Sequence, residues 1–164
     1  MELDHALAWL QSTALAKTIS EDEILFPWIE SVHVLAIVLV VGTIAIVDLR
    51  LIGVASLDRA AGRLMREILP LTWGAFVVAA ITGSLMFSSN AKTYAHNFFF
   101  QGKLVLLALA GLNMAFFHFV GATGIERWGT TRQTPPAVKA ASALSLVIWA
   151  AVVAFGRWIG FTVH

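Results

Sequence analysis

Five histidines are the residues in this sequence best suited to chemistry. Three of them, His33, His96 and His118, fall in or beside strongly apolar stretches. An imidazole in hydrocarbon must hydrogen-bond, bind a metal or relay a proton. His5 and His164 lie at the chain ends and read as solvated. Glu30 stands one turn before His33 on the same helix face, placed to fix its tautomer as a carboxylate does behind a metal-bound histidine. His33 is thus a candidate ligand, and its structural alternative is a polar crosslink between helices. Asp48, Arg50, Asn113 and His118 form a second polar set. They suit a proton or quinone site, or equally the hydrogen bonding that holds helices together. Lys103 offers a counter-charge for a propionate-bearing cofactor, or for a lipid phosphate.

The elements that position these residues are apolar helices. The chain has 164 residues, 59% of them hydrophobic and 13% charged, and its mean hydropathy is +0.81. Soluble domains carry roughly 25% charge, and so short a chain cannot hide this much apolar surface from water in a single core. Charge-free windows recur at 31–47, 68–91, 104–125 and 140–156. A span needs about 20 apolar residues, and a lipid-exposed backbone must satisfy its own hydrogen bonds, which requires helix. The expected architecture is an all-α integral membrane four-helix bundle forming one domain. Its spans are residues 28–50, 68–90, 99–122 and 137–159, preceded by a short interfacial helix over 3–17, where Leu3, Leu7, Leu10 and Ala14 follow helical spacing. Pro27, Pro70 and Pro135-Pro136 are expected to open spans 1, 2 and 4. Ala75, Ala79 and Gly83 make a small-residue ridge that lets another helix approach closely and leaves room for a homodimer.

Composition excludes several classes. With no cysteine, disulfides and thiolate metal sites are ruled out. A net charge of +1 without a basic cluster gives no support for nucleic-acid binding. The amino terminus lacks the basic and continuous apolar regions of a signal peptide. Arg50, Arg59, Arg63, Arg66, Arg127, Arg132 and Lys139 fall between spans 1 and 2 or 3 and 4, against Lys17, Lys92, Lys103 and Arg157 on the other side. Basic residues favour the cytoplasm, so both termini are expected in the periplasm, with the protein in the bacterial inner membrane. Trp28 and Trp158 fit an outer aromatic belt, Trp73 and Trp128 an inner one.

Depth then sorts the histidines. Spans 1 and 3 run in the same direction. At about 1.5 Å per residue, His118 lies roughly 30 Å below the outer end of span 3, and His33 less than about 10 Å below that of span 1. Both ligands of an upright haem sit at nearly one depth, so His33 and His118 do not share an iron. His33 and His96 reach one depth, with Phe98, Phe99 and Phe100 nearby to cover a ring or simply to form interface.

The ordered segments W-I-E-S-V-H, D-L-R-L-x-G, L-P-L-T-W-G, I-T-G-S-L-M-F, F-F-F-Q-G-K and L-N-M-A-F-F-H resemble a family of small bacterial four-span membrane proteins of unknown function. That family is grouped loosely with cytochrome b-like and CopD-like membrane domains. The resemblance covers nearly the whole chain and implies fold and topology more than activity. It puts His33, Asp48, Arg50, Lys103, Asn113 and His118 on the family's polar positions, and leaves His96 unplaced. Four-helix b-type cytochromes carry histidines at matching depths, and this chain departs from that pattern.

Three functions are expected to compete. One is electron transfer through a b-type haem near the periplasmic face, with His33 and His96 as ligands, Lys103 as counter-charge, and quinol or another membrane redox protein as partner. The second is a non-enzymatic membrane accessory or assembly subunit. The third is copper handling, for which imidazole is suited but soft ligands are scarce: the four methionines form no M-x-x-M cluster.

Overall fold

The computed structural model describes residues 2–55, 60–121 and 134–162, with side chains of the third span described up to Phe117. Seven helices follow in order: α1 (Glu2–Ser12), α2 (Ala14–Glu21), α3 (Leu25–Ile52), α4 (Ala61–Ser89), α5 (Ala91–His96), α6 (Phe98–Gly121) and α7 (Pro136–Thr162). Among the described residues there is no strand. Four helices, α3, α4, α6 and α7, are long and apolar enough to cross a membrane.

The distribution of side chains is that of a protein solvated by lipid. Leu35, Val38, Val77, Ile81, Leu104, Leu112, Leu144 and Val147 all face outward, whereas the interior holds Ala36, Val40, Thr43, Ala75, Thr82, Ser142 and Ser145. Hydrocarbon gives no drive to bury leucine, so small and hydroxyl side chains that allow close approach and hydrogen bonding take the contacts.

Helix α3 packs along α4 and α7, and α7 packs along α6. The α3–α4 register is antiparallel: Thr72 donates to Thr43 Oγ1 at 2.8 Å, and ten residues away on each helix His33 Nδ1 lies 2.9 Å from Thr82 Oγ1. Four elements meet at the end distant from the termini, where Leu51, Ala61 and Val138 form a buried cluster against Val47 and Phe117. At the end carrying the termini, Phe87 of α4 stacks on Phe100 of α6 with centroids 5.2 Å apart. These two ends are called the loop end and the terminal end below.

Local chemistry fixes the boundaries. Asp22 Oδ1 accepts the Ile24 and Leu25 N–H groups at 2.8 and 2.9 Å, satisfying donors at the start of α3. Gly53 ends α3 at φ 95°, a left-handed conformation suited to glycine, and donates to the Leu49 carbonyl. Asn97 Oδ1 accepts from Phe99 and Phe100 to start α6, and Pro136 occupies the first position of α7.

Two expectations about elements change. The single interfacial helix is two helices, because Thr13 breaks it: its hydroxyl donates to the Leu10 carbonyl at 2.7 Å and accepts from Ala16 N–H at 3.4 Å, capping α2. Leu7, Ala16 and Ile19 are buried while Trp9 and Leu15 face out. Pro70 does not open a helix but lies inside α4. The helix begins at Ala61 with a polar prelude containing the exposed Arg63, Arg66 and Glu67. Proline lacks only its own N–H, and a spanning helix tolerates that loss where neighbours re-satisfy the freed carbonyl.

Candidate functional site

Two polar centres stand in the bundle, one near each end. At the terminal end the antiparallel register carries His33 onto the small-residue ridge of α4. A Cβ built on Gly83 would lie 3.0 Å from His33 Cε1 and 3.8 Å from Nε2, so the missing side chain is what admits the ring. The Ala79 carbonyl borders the same ring. The Thr82 hydroxyl has one proton, and its shortest contact to a carbonyl is 2.7 Å, to Val78. With that proton committed, the hydroxyl oxygen accepts from Nδ1–H of His33, which leaves the imidazole lone pair on Nε2. This tautomer is assigned from the hydrogen-bond network.

Lys103 enters the same region from α6. It is partly buried, and a Cβ on Gly156 of α7 would lie 3.4 Å from its Nζ, so a second glycine makes room for a second basic group. Its charge acts on His33. Among the described residues no carboxylate pairs with it. Lys103 therefore turns inward, whereas Gln101, two residues before it, is exposed and donates to the Ala95 carbonyl at 2.8 Å.

Among the described residues, His96 makes no hydrogen bond or ion pair with His33. His96 lies exposed at the end of α5, with Nδ1 2.9 Å from the Lys92 carbonyl and Nε2 3.7 Å from Asp4 Oδ1 of α1. A residue at a helix end can serve its own backbone, and that local bond competes with any ligand role. Glu30 is exposed and does not hold His33; Thr82 does. Tyr94, half-buried on α5, is held protonated to higher pH first by burial and then by the Glu30 charge. The phenylalanine run divides: Phe98 and Phe99 pack on Phe155 of α7, and Phe100 on Phe87 and Tyr94.

The second centre lies toward the loop end. Asp48 is only 7% exposed and faces Ser142 and Ser145 of α7. Arg50 is buried too rather than extended to headgroups, and it has a partner. Asn113 donates to the Ala141 carbonyl at 3.0 Å, tying α6 to α7. Beside it an apolar cleft of about 580 Å³ opens between Leu109, Leu112, Phe116, Ala137 and Leu144. The side chain of His118 lies outside the described residues, as do His164 and Trp128. Among the described residues, no three His, Cys, Asp or Glu side chains gather into a metal-binding group.

Thr82, Ser142 and Ser145 are the site residues that sequence reasoning missed. Faint signals exist: Thr82 adjoins Gly83 in I-T-G-S, and two serines three apart share one face at the start of the last span. What turns them into partners is register between distant segments.

A bundle of four spanning helices with small and polar residues inside defines an integral membrane protein. The chain belongs to a family of unknown function, DUF6644, whose model matches residues 11–162. No curated protein and no solved structure matches the chain.

Proposed function

We propose that this protein carries a b-type haem at the terminal end of the bundle and transfers electrons, with quinol as an exchange partner. The protein would reside in the bacterial cytoplasmic membrane with both termini periplasmic. The observation that supports this reading is the presence of two basic side chains, His33 and Lys103, close enough at the terminal end for the charge of one to act on the other, with no carboxylate paired to Lys103 among the described residues. A buried ammonium calls for an anion, and a haem propionate supplies one. His33 keeps its Nε2 lone pair because Thr82 takes the Nδ1 proton, which is how a ligating imidazole is oriented. Bound haem supplies a one-electron iron couple whose potential depends on axial ligand, hydrogen bonding and burial. The residues of the chain bind and orient it and exclude water. His96, the second ligand suggested by depth, would have to leave Lys92 and Asp4 to take part.

The test is the visible spectrum of the protein purified in mild detergent from haem-sufficient cells, oxidised and dithionite-reduced. A Soret band with sharp α and β bands, lost in His33→Ala and weakened in Lys103→Gln, is the expected result. A colourless preparation would sink the reading.

A second reading has its own observation. His33–Thr82, Thr43–Thr72 and Asn113–Ala141 are all hydrogen bonds between helices, as expected of an accessory or assembly subunit whose polar residues specify packing. It predicts no chromophore, and a His33→Ala protein that differs from the parent in thermal stability alone.

A further inference from the structure

We infer that the cleft between α6 and α7 binds the ring of a prenylated quinone or quinol, held by the side-chain amide of Asn113. The cleft measures about 580 Å³, and a small-molecule site usually offers about 300–1,000 Å³. Along α7 it runs from Ala137 to Ile148, roughly 16 Å at about 1.5 Å per residue. Such an elongated groove suits a ring that carries a tail. Its walls are apolar apart from Asn113, and among the described residues no charged side chain borders it. The matching ligand is therefore neutral and lipid-soluble. The Lys139 ammonium is engaged elsewhere, 4.0 Å from where a Gly53 Cβ would be at the end of α3, so it does not draw a lipid phosphate to this face.

Asn113 supplies the specificity. The Ala141 carbonyl can only accept, so it faces Nδ2 at 3.0 Å and fixes which way the amide points. That bond uses one N–H. The second N–H and Oδ1 have no partner among the described residues. Nor is Oδ1 sealed inside the protein, where the orphaned oxygens are Asp48 Oδ2 and Ser142 Oγ. The space that Asn113 borders is the cleft. Hydrocarbon satisfies neither group, and a phospholipid acyl chain lying in the groove would leave both bare. A quinone carbonyl accepts from the free N–H, and a quinol O–H donates to Oδ1, so one side chain serves both members of the couple. Ala141 is five residues into α7, which puts the ring about 8 Å inside the loop end. Leu109 and Ile148 then lead the tail toward the middle of the bundle. The choice of a quinone rests on the exchange partner proposed above, whereas the groove and its amide do not depend on haem.

A photoreactive azidoquinone tests the site in the full chain reconstituted in liposomes, with the labelled residues mapped by peptide mass spectrometry. Saturable labelling within 109–116 or 137–148 is expected, displaced by an unlabelled short-chain quinone and not by added phospholipid. Asn113→Leu is expected to weaken binding about tenfold, the scale of one or two neutral hydrogen bonds. Ala140→Phe, which obstructs the groove and leaves the Asn113–Ala141 bond in place, should abolish labelling there. Labelling that never saturates marks acyl-chain exchange alone and overturns the proposal. So does a cross-link to a second copy of the chain across this face, and so does an Asn113→Leu titration that superimposes on the parent. Haem is read separately from the visible spectrum. A colourless protein that binds the azidoquinone sinks the haem and keeps this site, and a haem protein without saturable labelling does the reverse.

Discussion

Gly83 shows how a residue with no side chain determines what its neighbour can do. Helix propensity alone favours alanine there by about 1 kcal/mol, yet an added Cβ would press on His33 Cε1 at 3.0 Å. Gly83→Ala is therefore expected to destabilise by about 1–3 kcal/mol, the usual range for overpacking, read as thermal unfolding in detergent. The same change on a His33→Ala background should cost less, because the clash is gone. Additive losses would show that the contact with His33 is not the cause. Asp22 makes a pH prediction outside the bilayer. The Leu25 and then the Ile24 N–H hold its carboxylate below the ordinary aspartate pKa. Its contribution to stability is then fully present above the unfolded-state value and lost as pH falls through the depressed folded value. Asp22→Asn should flatten the acid limb of a plot of thermal midpoint against pH. An unchanged limb would mean that other carboxylates govern it.

Among the described residues, α6 and α7 are joined by one hydrogen bond within the apolar region, from Asn113 to Ala141, and by close backbone approach. Asn113→Leu removes the bond to Ala141 and is expected to cost about 0.6–1.7 kcal/mol, the measured scale for polar contacts between membrane helices, in an unfolding titration of the purified protein. Gly102→Ala should cost more, since a Cβ there overlaps the Phe155 ring. If Asn113→Leu proved neutral, filling of the neighbouring apolar cleft by leucine would have offset the lost bond. The helices themselves were legible in the sequence because length and hydropathy impose them. Their edges were less so. Pro70 looked like a start because proline commonly occupies the first helical turn, but a helix that leaves the bilayer continues through it. Thr13 gives no sign of a break in the sequence, because Leu3, Leu7, Leu10 and Ala14 keep their period across it.

The whole molecule has a terminal end and a loop end, and the proposed orientation puts the first outside the cell. The chain contains no cysteine, so single cysteines report cleanly. Ser12→Cys, at the end of α1, is expected to react with a membrane-impermeant maleimide in spheroplasts. Arg63→Cys, exposed at the start of α4, should react only after lysis. The reverse pattern would invert the topology. The two polar centres lie at different depths, and the proposed orientation would put His33 with Lys103 toward the periplasm and Asp48 toward the cytoplasm.

By itself the sequence determined that this is a four-span helical membrane protein. Lipid leaves apolar segments of this length no other way to satisfy their backbone. It also marked His33, Lys103, Asp48 and Asn113 as the polar groups that needed partners. Only the tertiary structure decided who those partners are. Thr82 was chosen over Glu30 and His96 for His33, and Ser142 with Ser145 faced Asp48, because antiparallel register joins residues dozens of positions apart. Small side chains such as Gly83 and Gly156 then let those helices come close enough for the pairs to meet.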